Sequence, residues 1–186
     1  MRITGGTARG IQLKVPKGDG TRPATDRMRE AVFSSLGTLP EGCRVADLFA
    51  GTGAYGLEAL SRGAASAAFY ENDRHALRCL QENLRAITRS CKLPESVGKI
   101  FPQDVHTIQN PASPTDLIFI DPPYDQIQEA LVRIFATTVE RFSHRGTRVV
   151  LELPGNLTPE VPGWQITRRL GKLGKDKPTA AIFERL

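Results

Sequence analysis

At 186 residues, 40% hydrophobic and 24% charged, the chain is long enough to bury the core of one domain and has an ordinary water-soluble balance. No apolar run approaches the roughly 20 residues of a membrane span, and Met1 to Gly6 lacks the apolar centre of a secretory signal. The three cysteines, Cys43, Cys79 and Cys91, match no zinc or disulfide spacing, so a reducing cytoplasm, no membrane and no metal are expected. The net charge of +5 is concentrated at the ends: residues 1–30 hold seven basic against three acidic side chains, and residues 165–186 six against two. Such ends suit a polyanion, or simply keep the chain soluble.

In chain order, residues 1–23 read as extended. Strand-like Arg2–Thr4 and Ile11–Val15 are separated and followed by glycine and proline turns, which sets two short extended segments over 1–23 ahead of a main domain over 24–186. A helix follows, capped by Thr25 or Asp26. Met28, Val32 and Leu36 lie on one face with Phe33 beside them, and Gly37 and Pro40 stop it. Beyond Pro40 strands and helices alternate. The predicted strands are Arg44–Phe49, Ser66–Glu71, Lys99–Pro102, Asp116–Ile120 and Thr147–Leu153, with a final pair at Gln165–Leu170 and Thr179–Arg185. The predicted helices are Ala54–Arg62, Arg74–Thr88 and Gln128–Phe142. This alternation predicts an α/β fold, an open, mostly parallel sheet with helices on both faces.

The turn Asp47-Leu48-Phe49-Ala50-Gly51-Thr52-Gly53-Ala54-Tyr55-Gly56 joins the first core strand to its helix. It matches G-x-G-x-x-G, and Glu71 stands about 20 residues on, where an acid grips a ribose hydroxyl in dinucleotide sites. Nicotinamide, flavin and S-adenosylmethionine sites share this signal. Asp47 bears on the choice, because a carboxylate aimed into the turn repels a pyrophosphate but suits a sulfonium and an ammonium. Its alternative role is to satisfy turn amides. Asp104, after the third strand, either accepts from an adenine amino group or caps a short helix.

Ile118-Phe119-Ile120-Asp121-Pro122-Pro123-Tyr124 ends a buried strand in two prolines, which fix φ and donate no backbone hydrogen bond. The Asp121 carboxylate and the Pro122 carbonyl then offer two acceptors at the carboxyl edge of the sheet, with the Tyr124 ring close by. An amino group on an aromatic base is a poor nucleophile, since its lone pair is delocalised into the ring. Two acceptors on its two N–H bonds favour a pyramidal nitrogen, and stacking on Tyr124 is worth about 1–3 kcal/mol. Orientation in a dry site supplies up to about 7–11 kcal/mol more.

These residues resemble the class I methyltransferases. More narrowly the chain resembles the RsmD family, the 16S ribosomal RNA guanine-N2 methyltransferases. Arg2-Ile3-Thr4-Gly5-Gly6, Thr21 to Glu30, Asp47 to Gly53 and the Asp121 to Tyr124 turn carry the likeness. The resemblance implies a Rossmann-like seven-stranded sheet, with S-adenosylmethionine held by Asp47, Phe49, Gly51, Gly53, Glu71 and Asp104. It implies a guanine held by Asp121, Pro122, Pro123 and Tyr124. The partner it implies is 16S rRNA in the small ribosomal subunit or its precursor, engaged by a small N-terminal hairpin over 1–23 and the first helix through Arg2, Arg9, Lys14, Arg22, Arg27 and Arg29. Lysine-rich Gly171–Pro178, and Phe183 in place of a tyrosine, depart from the family. An adenine-N6 methyltransferase and a nicotinamide-dependent oxidoreductase are the rival readings; the second leaves Asp-Pro-Pro-Tyr without a use.

Overall fold

The computed structural model describes residues 1–16, 26–108, 114–122, 127–172, 174 and 177–186. Seven strands form one sheet: β1 (Arg44–Leu48), β2 (Ser66–Glu71), β3 (Gly98–Pro102), β4 (Leu117–Ile120), β5 (Arg148–Pro154), β6 (Trp164–Leu170) and β7 (Pro178–Arg185). Their spatial order is β3-β2-β1-β4-β5-β7-β6. The first five run parallel, while β7 lies antiparallel between β5 and β6. The strand order reverses between β1 and β4, and open α/β sheets bind ligands beyond the carboxyl ends of strands at that point.

Helices α1 (Asp26–Leu36), α2 (Ala54–Ser61) and α3 (Arg74–Cys91) cover one face; α4 (Ile127–Ile134) and its continuation cover the other. The predicted apolar faces account for this. Met28, Val32, Phe33 and Leu36 of α1, with Leu80, Leu84 and Ile87 of α3, meet Val45, Phe69 and Phe119 of the sheet. Helix α3 begins where the Asp73 side chain accepts from the His75 and Ala76 amides, and it outlasts the predicted end at Thr88 by three residues. Gly98 opens β3 because a Cβ there would meet Leu84 Cδ1 at 2.5 Å.

Two regions differ from the sequence-based expectation. The N-terminal segment is a hairpin held by one bridge, Arg2 to Gln12, rather than two regular strands. It gains its place by docking: Ile3, Ala8 and Leu13 share the core with α1–α3, and Ser61 and Glu58 of α2 bond its backbone. Every residue of α2 is buried as a result, between the sheet on one side and the hairpin on the other. The helix predicted over Gln128–Phe142 instead widens into a π turn at Phe135–Val139 before α5 (Glu140–Phe142). There the Thr137 hydroxyl donates back to the Arg133 carbonyl, in competition with the helical ladder, and the Thr138 hydroxyl ties the turn to the Val105 carbonyl. No described helix is long and apolar enough to cross a membrane.

Candidate active site at the carboxyl ends of the central strands

The glycine turn leaves β1 through an uncommon backbone. Phe49 has φ 62°, Gly51 55° and Gly53 84°. A left-handed conformation at the bulky Phe49 is strained, and such strain gathers at functional sites. The two glycines differ in purpose. A Cβ on Gly51 would point into open space, which leaves room for a ligand to approach the backbone. A Cβ on Gly53 would strike Leu80 Cδ1 at 2.3 Å, so Gly53 serves close packing of α3 as well as the turn.

Glu71 binds this turn together. One carboxylate oxygen accepts from the Gly51 amide at 2.7 Å, and the other from the Asn72 and Asp73 amides, both at 2.8 Å. A carboxylate has about four acceptor positions, so three backbone bonds leave Glu71 one for a ligand hydroxyl. Asn83 of α3 adds a second tie: its amide nitrogen donates to the carbonyls of Lys14 and Thr52, joining the hairpin to the glycine turn.

Asp47 is buried, and one of its oxygens accepts from the Gly56 amide at 2.8 Å, at the first turn of α2. Burial, with Glu71 adding its charge, pushes its carboxyl up to about 8 against the opposing pull of the Gly56 amide. Asp104 caps the short 3₁₀ turn Val105–Thr107 by accepting from the His106 amide, and that turn brings His106 edge-on to Phe49.

Asp121 follows β4 directly and is half-buried, and Pro122 behind it is buried. Pro123 and Tyr124 fall outside the described residues. Among the described residues none donates a hydrogen bond to Asp121. Burial raises its proton affinity well above the usual carboxylate range, and the charges of Glu152 and Asp47 add to this.

Pattern alone gives no role to Glu152, Tyr55 or Glu58. Glu152 of β5 is buried and accepts from the hydroxyl of Tyr55, whose ring stacks on Phe119 at 4.8 Å. Glu58 of α2 lies wholly buried beneath the hairpin. A charged residue inside an apolar run, as in Val149 to Leu153, was the available signal for Glu152.

The expected RNA-contacting residues separate into two groups. Arg2, Arg9, Lys14 and Arg27 are exposed; Lys14 pairs with Glu82 and Arg2 with Asp26. Arg22 lies outside the described residues. Arg29 is a correction, because its side chain is 0% exposed and so cannot meet a phosphate at the surface. Its guanidinium bonds Glu58 at 3.3 Å, Asp26 at 2.8 Å and the Arg2 carbonyl, since the hairpin closes over it.

The sheet order and the carboxylate-lined strand ends define a class I methyltransferase fold. A structure of the Escherichia coli protein titled "Putative methyltransferase yhhF" superposes with TM-score 0.81 and 30% identity, covering 100% of this chain and 97% of that one. The family described as "Conserved hypothetical protein 95" matches residues 1–177, and the chain belongs to it, the RsmD family of methyltransferases. Among curated relatives, the "Putative rRNA methyltransferase YlbH" of Bacillus subtilis (strain 168) is 31% identical over 76% of this chain and 75% of its own length. The "Ribosomal RNA small subunit methyltransferase D" of Escherichia coli (strain K12) is 38% identical over 67% of this chain, which spans only 60% of that protein's length.

Proposed function

We propose that this chain is a cytoplasmic enzyme that methylates guanine N2 in 16S rRNA of the small ribosomal subunit or its precursor, using S-adenosylmethionine. The observation that carries the reading is Asp121. It stands half-buried at the strand-order reversal, and among the described residues none donates to it, so its carboxylate is available to a substrate N–H. The relatives' names support ribosomal RNA as the class of substrate.

The residues present fit this cofactor. Asp47, Glu71, Asp121 and Glu152 place four carboxyl groups in the carboxyl-terminal halves or just beyond the ends of four neighbouring strands, and burial raises the proton affinity of Asp47, Asp121 and Glu152. A ligand with positive groups relieves that charge; a pyrophosphate worsens it. When bound, the cofactor supplies a methyl group on a positively charged sulfur. Gly51 leaves space beside the turn, and the remaining acceptor position of Glu71 suits a ribose hydroxyl. Asp121 and the Pro122 carbonyl hold the two N–H bonds of the target amine and turn its lone pair outward. Tyr124 supplies the stacking face.

The deciding experiment is single-turnover transfer of labelled methyl to small-subunit particles that lack the modification, followed by nucleoside analysis. N2-methylguanosine is the expected product. Label on adenine N6 would overturn the choice of base, and no transfer to RNA would overturn the reading altogether.

RNA engagement is expected through the exposed cations of the hairpin and α1. Replacing Arg9 and Arg27 together by glutamine should lower RNA affinity and reduce the salt slope of binding by about 1–2 units, with cofactor affinity unchanged. An unaltered slope would remove this surface from the RNA path.

A further inference from the structure

We propose that Glu152 is a positioning residue whose negative charge, fixed beside Asp121 on the adjacent strand, makes Asp121 the acceptor of the proton that the target amine releases. The proposal rests on the reading of Asp121 as the group that holds the amine.

The geometry comes from the sheet. Ile120 of β4 is level with Leu151 of β5, so Asp121 and Glu152 are the next level pair. Side chains alternate along a strand. Phe119 and Val150, two residues earlier, both enter the core beneath α1–α3, so Asp121 and Glu152 belong to that same face. Asp47 of β1, level with Phe119, joins them there.

The two level carboxyl groups are held differently. Burial raises the proton affinity of Glu152, but the Tyr55 hydroxyl that it accepts and the charge of Arg29 from α1 both work against that rise. Asp121 has no such donor among the described residues, and it faces the charges of Glu152 and Asp47. Arg29 is itself occupied by Glu58 of α2 and by Asp26. On the β7 side Glu152 is level with Ala180, which brings no charge. The proton affinity of the pair is therefore concentrated on Asp121, the member that opens to the site.

The reaction needs such an acceptor. The amine lone pair forms a bond to the methyl carbon, and the carbon–sulfur bond breaks with its electron pair going to sulfur. The nitrogen, now positive, passes one of its two protons to an Asp121 oxygen and becomes a neutral secondary amine. Asp121 returns that proton to water when the product leaves. An ordinary carboxylate is a weak base, and a neighbouring negative charge strengthens it.

The test follows the Asp121 carboxyl carbon by NMR through a pH titration of the cofactor-free protein, with its resonance assigned by loss in Asp121→Asn. In Glu152→Gln the midpoint should fall by about one pH unit or more, a tenfold loss of proton affinity. The acid limb of the single-turnover rate should move the same way. Tyr55→Phe is the second variant: without its donor, Glu152 keeps its proton to higher pH, so Asp121 again ionises at lower pH. A midpoint unmoved in both folded variants, with Asp121→Ala inactive, overturns this inference alone. Near wild-type transfer by Asp121→Ala would instead overturn the reading of the site on which it rests.

Discussion

Asp121→Ala is expected to slow single-turnover methyl transfer by about 10²–10³-fold, the usual consequence of deleting one preorganised polar partner at a reacting group. Cofactor affinity should change little. The Asp121 acceptor matters most as the nitrogen becomes pyramidal and positive, so its loss falls on the transition state more than on the bound ground state. Asp121 follows a strand that is buried throughout, Leu117–Ile120, and buried Pro122 stiffens the exit, so the backbone aims the carboxylate. Asp121→Asn keeps one acceptor oxygen but gives up the charge, and should fall between alanine and wild type. The measurement is the rate at saturating cofactor and RNA. A rate within threefold of wild type for the alanine variant would remove Asp121 from the reaction.

The largest effect on stability is expected at Glu58. Its carboxylate, wholly buried, meets Arg29 Nε at 3.3 Å, Arg62 Nε at 2.9 Å, the Thr4 amide at 2.7 Å and the Thr4 hydroxyl at 2.8 Å. Glu58→Ala leaves the buried Arg29 guanidinium short of an anion. Breaking such a pair from one side costs about 3–5 kcal/mol, which for a chain of this size lowers Tm by about 6–20 °C. The hairpin should loosen first, because Thr4 loses both of its bonds to α2. Scanning calorimetry gives the shift, and limited proteolysis within residues 1–16 locates the loosening. A Tm within about 2 °C of wild type would show that Arg29 is satisfied without Glu58.

Much of this protein is visible in local pattern. The strand–helix alternation from Arg44 onward, the stop of α1 at Gly37 and the start of α3 after Asp73 depend on side-chain period and on turn and cap chemistry. These act over a few residues and survive in a bare sequence. The glycine turn and Asp121-Pro122 are legible for the same reason, since the backbone there demands particular residue types. Asp104 shows both sides of this. Its capping of the turn at Val105 was one of two readings of the sequence, and the structure has it capping.

What the sequence could not supply are the pairings between distant residues. Arg29 looks like a surface cation in a basic segment, yet the hairpin closes over it and Glu58, 29 residues on, receives it. Tyr55 and Glu152 meet across 97 residues because α2 packs on the face where β5 presents Glu152. Glu71, expected to turn toward a ribose, spends three backbone bonds on holding its own loop. Side-chain type sets which groups are able to pair. Which of them do so depends on how layers pack and which groups lose their water, and only the assembled sheet decides that.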